Sequence, residues 1–105
     1  MVHHIENDQI ISEVLKHEKL VVVDFFATWC GPCQMLAPVL VNLDKKYEDE
    51  VEIYKVNVDE AQDAAIRYGV VSVPTLIFFK EGKEIERQVG YMDEDELSKI
   101  IDEIK

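Results

Sequence analysis

Trp29-Cys30-Gly31-Pro32-Cys33 decides the reading of this chain. The stretch holds its only two cysteines, directly after an apolar run over residues 20–27 and directly before a helical pattern over residues 34–47. A strand that passes into a helix here sets both thiols at the helix's first turn. Residues three apart on a helix face the same way, so the two sulfurs can close a small disulfide with little backbone movement. Pro32 fits a first turn, where a missing N–H costs nothing, and it stiffens the loop. Orphan N–H groups and the positive end of the helix dipole favour a thiolate at Cys30. Cys30, standing outermost, is expected to attack, and Cys33, a turn further in, to resolve. The chemistry is disulfide exchange: a thiolate attacks a disulfide, a mixed disulfide forms, and the second thiol releases it.

A Cys-X-X-Cys is also half of a zinc site. A closed structural site needs four ligands. The chain has no second cysteine pair, and His3, His4 and His17 lie upstream without zinc-finger spacing. No metal is expected.

At 105 residues and 48% hydrophobic content, residues 1–105 are expected to form one domain with a real core. Two cysteines make no disulfide scaffold, and a single pair at catalytic spacing fits a reducing compartment better. Residues 1–7 lack the basic and apolar regions of a signal peptide. A cytoplasmic protein is expected. Eleven basic against 22 acidic residues leave a net charge of −11, which repels phosphate backbones and anionic membrane surfaces. Nucleic acid and membrane are therefore not expected partners. Residues 25–43 carry no charge at all, but Cys30, Gly31, Pro32, Gln34, Pro38 and Asn42 break the stretch up, against a membrane span. It reads better as a core strand, a reactive site and a docking surface.

Along the chain, residues 2–5 suggest a short edge strand. Asn7 is a plausible N-cap for a helix with Ile10, Ile11, Val14 and Leu15 at helical spacing and Lys16 and His17 near its end. Residues 20–27 read as a strand covered on both faces, interrupted by Asp24. An ionised carboxylate there is costly, so its pKa should rise towards neutrality. Two readings stay open for Asp24: a structural carboxylate satisfied by backbone donors, or a proton acceptor for Cys33. The next helix buries Leu36, Val39, Leu40, Leu43 and Tyr47, with a kink expected at Pro38. Residues 51–58 predict a strand parallel to that of Asp24, and Lys55 inside it reads, on its residue type, as a snorkelling edge residue. Asp59 is expected to begin a short helix ended by Gly69. Residues 75–80 and 85–89 flank a hairpin turn at Glu81-Gly82-Lys83. Asp93 with Glu96 forms a capping-box signature before an amphipathic last helix carrying Leu97, Ile100, Ile101 and Ile104. The fold class is α/β, a central mixed sheet of five strands flanked by four helices.

Trp-Cys-Gly-Pro-Cys between a strand and a helix resembles the active site of the thioredoxin family. The likeness continues in Asp24, in Val73-Pro74-Thr75, and in Gly82 and Gly90, so it covers nearly the whole chain. It implies a thioredoxin-like fold and a protein-disulfide reductase, a dithiol electron carrier recharged by thioredoxin reductase. Such a protein uses the reversible Cys30–Cys33 disulfide and no added cofactor, serves disulfide-containing protein substrates and is expected as a monomer. By resemblance Asp24 helps deprotonate Cys33, Lys55 tunes Asp24, and Trp29, Gly31, Pro32, Val73, Pro74, Gly90 and Tyr91 shape the surface that receives substrate. Only about 5–6% of X-Pro bonds are cis in folded proteins, yet the resemblance implies a cis Pro74 opposite the cysteines. There the backbone of Val73 would pair with substrate as a short added strand.

Two features depart from the family's pattern. Gln34 stands where many members carry a basic residue, and Tyr91 is bulkier than the alanine often found there. Two rivals are set beside this reading. An oxidase or isomerase module would usually carry a histidine between the cysteines, where this chain has Gly31-Pro32. A binding module would keep its activity without the two thiols.

Overall fold

Alternation within the apolar runs builds the sheet. In β2 (Leu20–Phe26) every residue but Phe26 is buried, with Val21, Val23 and Phe25 in one core and Leu20 and Val22 in the other. A strand with apolar side chains on both faces belongs at the centre of a covered sheet. The computed structural model describes residues 2–105, apart from the side chains of Gln9 and Ile10, and sets β2 there. β3 (Val51–Asn57) pairs parallel with β2 and with the edge strand β1 (Val2–Ile5). On the other side β4 (Thr75–Lys80) pairs antiparallel with β2 and with β5 (Lys83–Val89). The order is β1-β3-β2-β4-β5, a mixed sheet of five strands among the described residues.

Helices cover both faces. Leu36, Leu40 and Leu43 of α2 (Gly31–Lys46) and Leu97 and Ile101 of α4 (Glu94–Ile104) pack on Leu20, Val22, Ile53, Leu76 and Phe78. Ile11 and Val14 of α1 (Asp8–Val14) and Ala64 of α3 (Gln62–Arg67) pack on Val21, Val23, Phe25, Ile77 and Phe79. Ile10, expected on the apolar stripe of α1, lies outside the described side chains. No described helix is long and apolar enough to cross a membrane.

Element existence follows the sequence reading, and several boundaries move. α1 stops at Val14, leaving Lys16 and His17 in the turn beyond it. β5 starts at Lys83 rather than Ile85, because an exposed edge strand can carry charged residues that give no apolar signal. Asp59 does not begin α3. Its N–H bonds to Asn57 Oδ1 at 2.9 Å, a side-chain turn that competes with helix, and Ala61 is the N-cap. α2 continues through Pro38 without breaking. The cap of α4 is as expected, Glu96 N–H donating to Asp93 Oδ1 at 2.8 Å. Glu81 and Gly82, with φ of 53° and 79°, form the two-residue hairpin turn whose twist suits adjoining strands.

Candidate active site

The strand-to-helix junction carries the sulfurs. Cys30 is the N-cap of α2, with extended backbone, and Gly31 and Pro32 open the helix. Cys30 therefore stands just outside the first turn. The two cysteines form a disulfide with Cα atoms 5.2 Å apart, within the ordinary range. Expected as the outermost sulfur, Cys30 is not distinguished by exposure: it is 5% exposed and Cys33 3%. It is distinguished by a donor, for the N–H of Cys33 points at Cys30 Sγ from 3.2 Å. An N–H at a helix start favours negative charge on that sulfur. Gln34 fastens the loop, its side-chain amide donating to Thr28 O at 3.0 Å.

Opposite the sulfurs runs the segment before β4. The Val73–Pro74 bond is cis, and Val73 O lies 3.7 Å from Cys30 Sγ, within donating reach of a reduced thiol. Thr75 Oγ1 donates to Ser72 O at 2.7 Å, and Gly90 N–H to Pro74 O at 2.8 Å. Gly90 has φ +93°, a conformation L side chains rarely adopt, and a Cβ there or at Gly31 would meet nothing within 4 Å. Both glycines border open space. A groove of about 380 Å³ lies between Trp29 and Val58 on one side and Val70, Val71, Ser72 and Val73 on the other. Trp29 is 71% exposed, and its indole N–H donates to Asp59 Oδ2 at 2.9 Å. Tyr91 is exposed nearby in sequence to Gly90.

Asp24 lies beneath the junction. It alternates with Leu20 and Val22, so it faces α2, whose first turn holds Cys33. Its cross-strand neighbour on β3 is Lys55. The carboxylate is fully buried, and neither oxygen has a hydrogen-bond partner among the described residues, which removes the reading of a carboxylate satisfied by backbone donors. Burial pushes its pKa up to about 7, the charge of Lys55 pulling the other way more weakly. Lys55 is not a free edge residue: its ammonium sits 4.6 Å from the Phe26 ring centre, a cation–π contact. A second cavity, of about 250 Å³, is lined by Phe26, Thr28, Cys33, Ala37 and Lys55 among others.

Sequence reasoning missed two parts of this site. Asp59 holds Trp29 across thirty positions of chain, and only the Asn57-X-Asp59 turn signal hints that Asp59 is not helical. Val71, 95% exposed on the groove, hides in the apolar stretch over residues 70–73, which looks like the start of a buried strand. Among the described residues no group of three His, Cys, Asp or Glu side chains is placed to hold a metal.

A redox-capable cysteine pair at a helix N-cap, facing a proline loop and backed by a buried carboxylate, defines a thiol–disulfide oxidoreductase. Comparison with known proteins agrees. The thioredoxin family model matches residues 1–103. The thioredoxin of Bacillus subtilis (strain 168) is 45% identical over 84 residues, covering 80% of this chain and 81% of that one. That of Chlamydia caviae is 52% identical over 84 residues with the same coverage. The X-ray structure of Fasciola hepatica thioredoxin superposes with a TM-score of 0.90 at 38% identity, over 98% of this chain and 99% of that one. The chain belongs to the thioredoxin family, whose chemistry runs on its own disulfide and needs no added cofactor.

Proposed function

We propose that the chain works in the reducing direction, as a dithiol reductant of protein disulfides. In this reading the Cys30 thiolate attacks a substrate disulfide, a Cys30–substrate bond forms, and one substrate thiolate leaves. Cys33 gives its proton to Asp24, attacks Cys30 and expels the second thiolate. Lys55, which lines the cavity beside Cys33, biases Asp24 by its charge. Trp29, Gly31, Pro32, Val73, Pro74, Gly90 and Tyr91 receive the substrate. Support for Val73 is that its own backbone N–H and C=O make no backbone hydrogen bond within the described chain, which suits pairing with an added strand.

The observation that carries this reading is the Cys33 N–H aimed at Cys30 Sγ beside an open groove. Residues 1–105 act as one unit, a monomer in a cytoplasmic, reducing compartment, recharged by a thioredoxin reductase. The lone cysteine pair favours that compartment over an oxidising one. The pre-reduced protein, mixed with insulin without other reductant, is expected to release insulin thiols while Trp29 fluorescence reports closure of the disulfide. No thiol release from insulin would contradict the proposal.

A further inference from the structure

β5 reaches towards the docking segment through an irregularity. Glu84 pairs with Phe79 and Glu86 with the adjacent Phe78, so Ile85 is an extra residue on its strand, a β-bulge. On a regular strand residues three apart point to opposite faces. The extra residue returns Glu84 and Arg87 to one face, that of their partners Phe79 and Ile77, where α3 packs.

On that face the two side chains form a planar fork. Arg87 Nε donates to Glu84 Oε2 at 2.9 Å and Nη2 to Oε1 at 2.8 Å. The hydrogen bond to its partner holds Glu84 below the usual carboxylate range and Arg87 above its own, so the pair stays charged. The guanidinium spends its remaining reach on backbone: Nη2 donates to Tyr68 O at 2.6 Å and Nη1 to Gly69 O at 3.4 Å. Tyr68 is the C-cap of α3, and Gly69 takes the left-handed turn that follows, at φ +66°. Donors of fixed geometry on these last carbonyls pin the helix end, as a flexible lysine would not.

The next four residues, 70–73, line the groove beside Trp29. Their far end is tied by Thr75 on Ser72 O and Gly90 on Pro74 O; their near end by Val70 N–H on Ala65 O and by Arg87. We propose that Arg87, aimed by the bulge at Ile85 and gripped by Glu84, is a positioning residue that holds segment 70–73 ready for a disulfide-bearing polypeptide while leaving exchange at the sulfurs untouched. This rests on the reductant reading above.

The test is single-turnover reduction by the pre-reduced protein, with insulin as polypeptide and hydroxyethyl disulfide as a small substrate that needs no docking. Arg87→Met is expected to raise the half-saturating insulin concentration about tenfold or more, the worth of one hydrogen bond to a charged group. The limiting rate and the hydroxyethyl disulfide rate are expected to hold. Arg87→Lys, which keeps charge but not the fork, should fall between. Glu84→Gln, which loosens the grip from the rim, should give the same pattern more weakly and serves if Arg87→Met does not fold. A lowered melting temperature with an unchanged half-saturating concentration would overturn the proposal, as would an equal loss on both substrates. A wild-type chain that reduces hydroxyethyl disulfide but never saturates with insulin would overturn it too. Failure on both substrates would instead sink the reductant reading, and the clamp's role with it.

Discussion

Cys33→Ser is expected to leave substrate covalently attached to Cys30, while Cys30→Ser yields no attachment and loses turnover by roughly 10³-fold or more, the scale of an enzyme deprived of its nucleophile. The asymmetry follows from the N-cap. Among the described residues a helix-start N–H points at Cys30 Sγ, at 3.2 Å, and none at Cys33 Sγ, so Cys30 gains a donor for its thiolate. Once it has attacked, a serine hydroxyl at position 33 cannot displace a thiolate from sulfur, and the mixed disulfide persists. Non-reducing electrophoresis with insulin, followed by mass spectrometry, reads the outcome directly. Adducts that accumulate on Cys33 in the Cys30→Ser protein would reverse the roles of the two sulfurs.

Asp24→Asn is expected to change stability and rate together. A carboxyl whose pKa rises from 3.8 unfolded to about 7 folded makes the native state the better proton binder between those values. Stability then falls as pH rises from about 4 to about 7 and is level above. The three-unit gap corresponds to a penalty on the order of 4 kcal/mol at pH 8. Asparagine never ionises, so the variant should match the parent near pH 4 and exceed it by up to that order at pH 8. Urea unfolding of the oxidised forms at both pH values checks this, and comparing the two proteins cancels the pH response of the surface carboxylates. The same substitution should slow resolution of the mixed disulfide near neutral pH by ~100-fold, the low end of what a positioned base contributes. A raised stability with an unchanged release rate would leave Asp24 a buried charge with no part in proton transfer.

What the sequence made legible is what lies contiguous in it. The cysteine pair, Pro32 and the helix that follows are neighbours, and Asp24 stands out because a charge interrupts an apolar strand. Buried strands and helix stripes were likewise legible, since periodicity states which face is covered. Features made by tertiary approach were not. The Trp29–Asp59 bond joins residues thirty apart, and the near-equal burial of the two cysteines depends on Ala27, Val58 and Val73 packing against them. β5 hid both its start and its irregularity: its exposed first half is written in charged residues, and no glycine or proline marks the bulge at Ile85. Without that bulge, Glu84 and Arg87 would be assigned to opposite faces.

The central claim is that the Cys30–Cys33 dithiol is a store of reducing electrons, and the reduction potential of the pair tests that most directly. The protein is equilibrated in glutathione buffers of graded ratio, with Trp29, the only tryptophan and adjacent to Cys30, as the fluorescent reporter. We predict a potential well below that of the glutathione couple, so that the dithiol form must be maintained by its own electron donor. A potential at or above that couple would mark an oxidising or isomerising module and contradict the account.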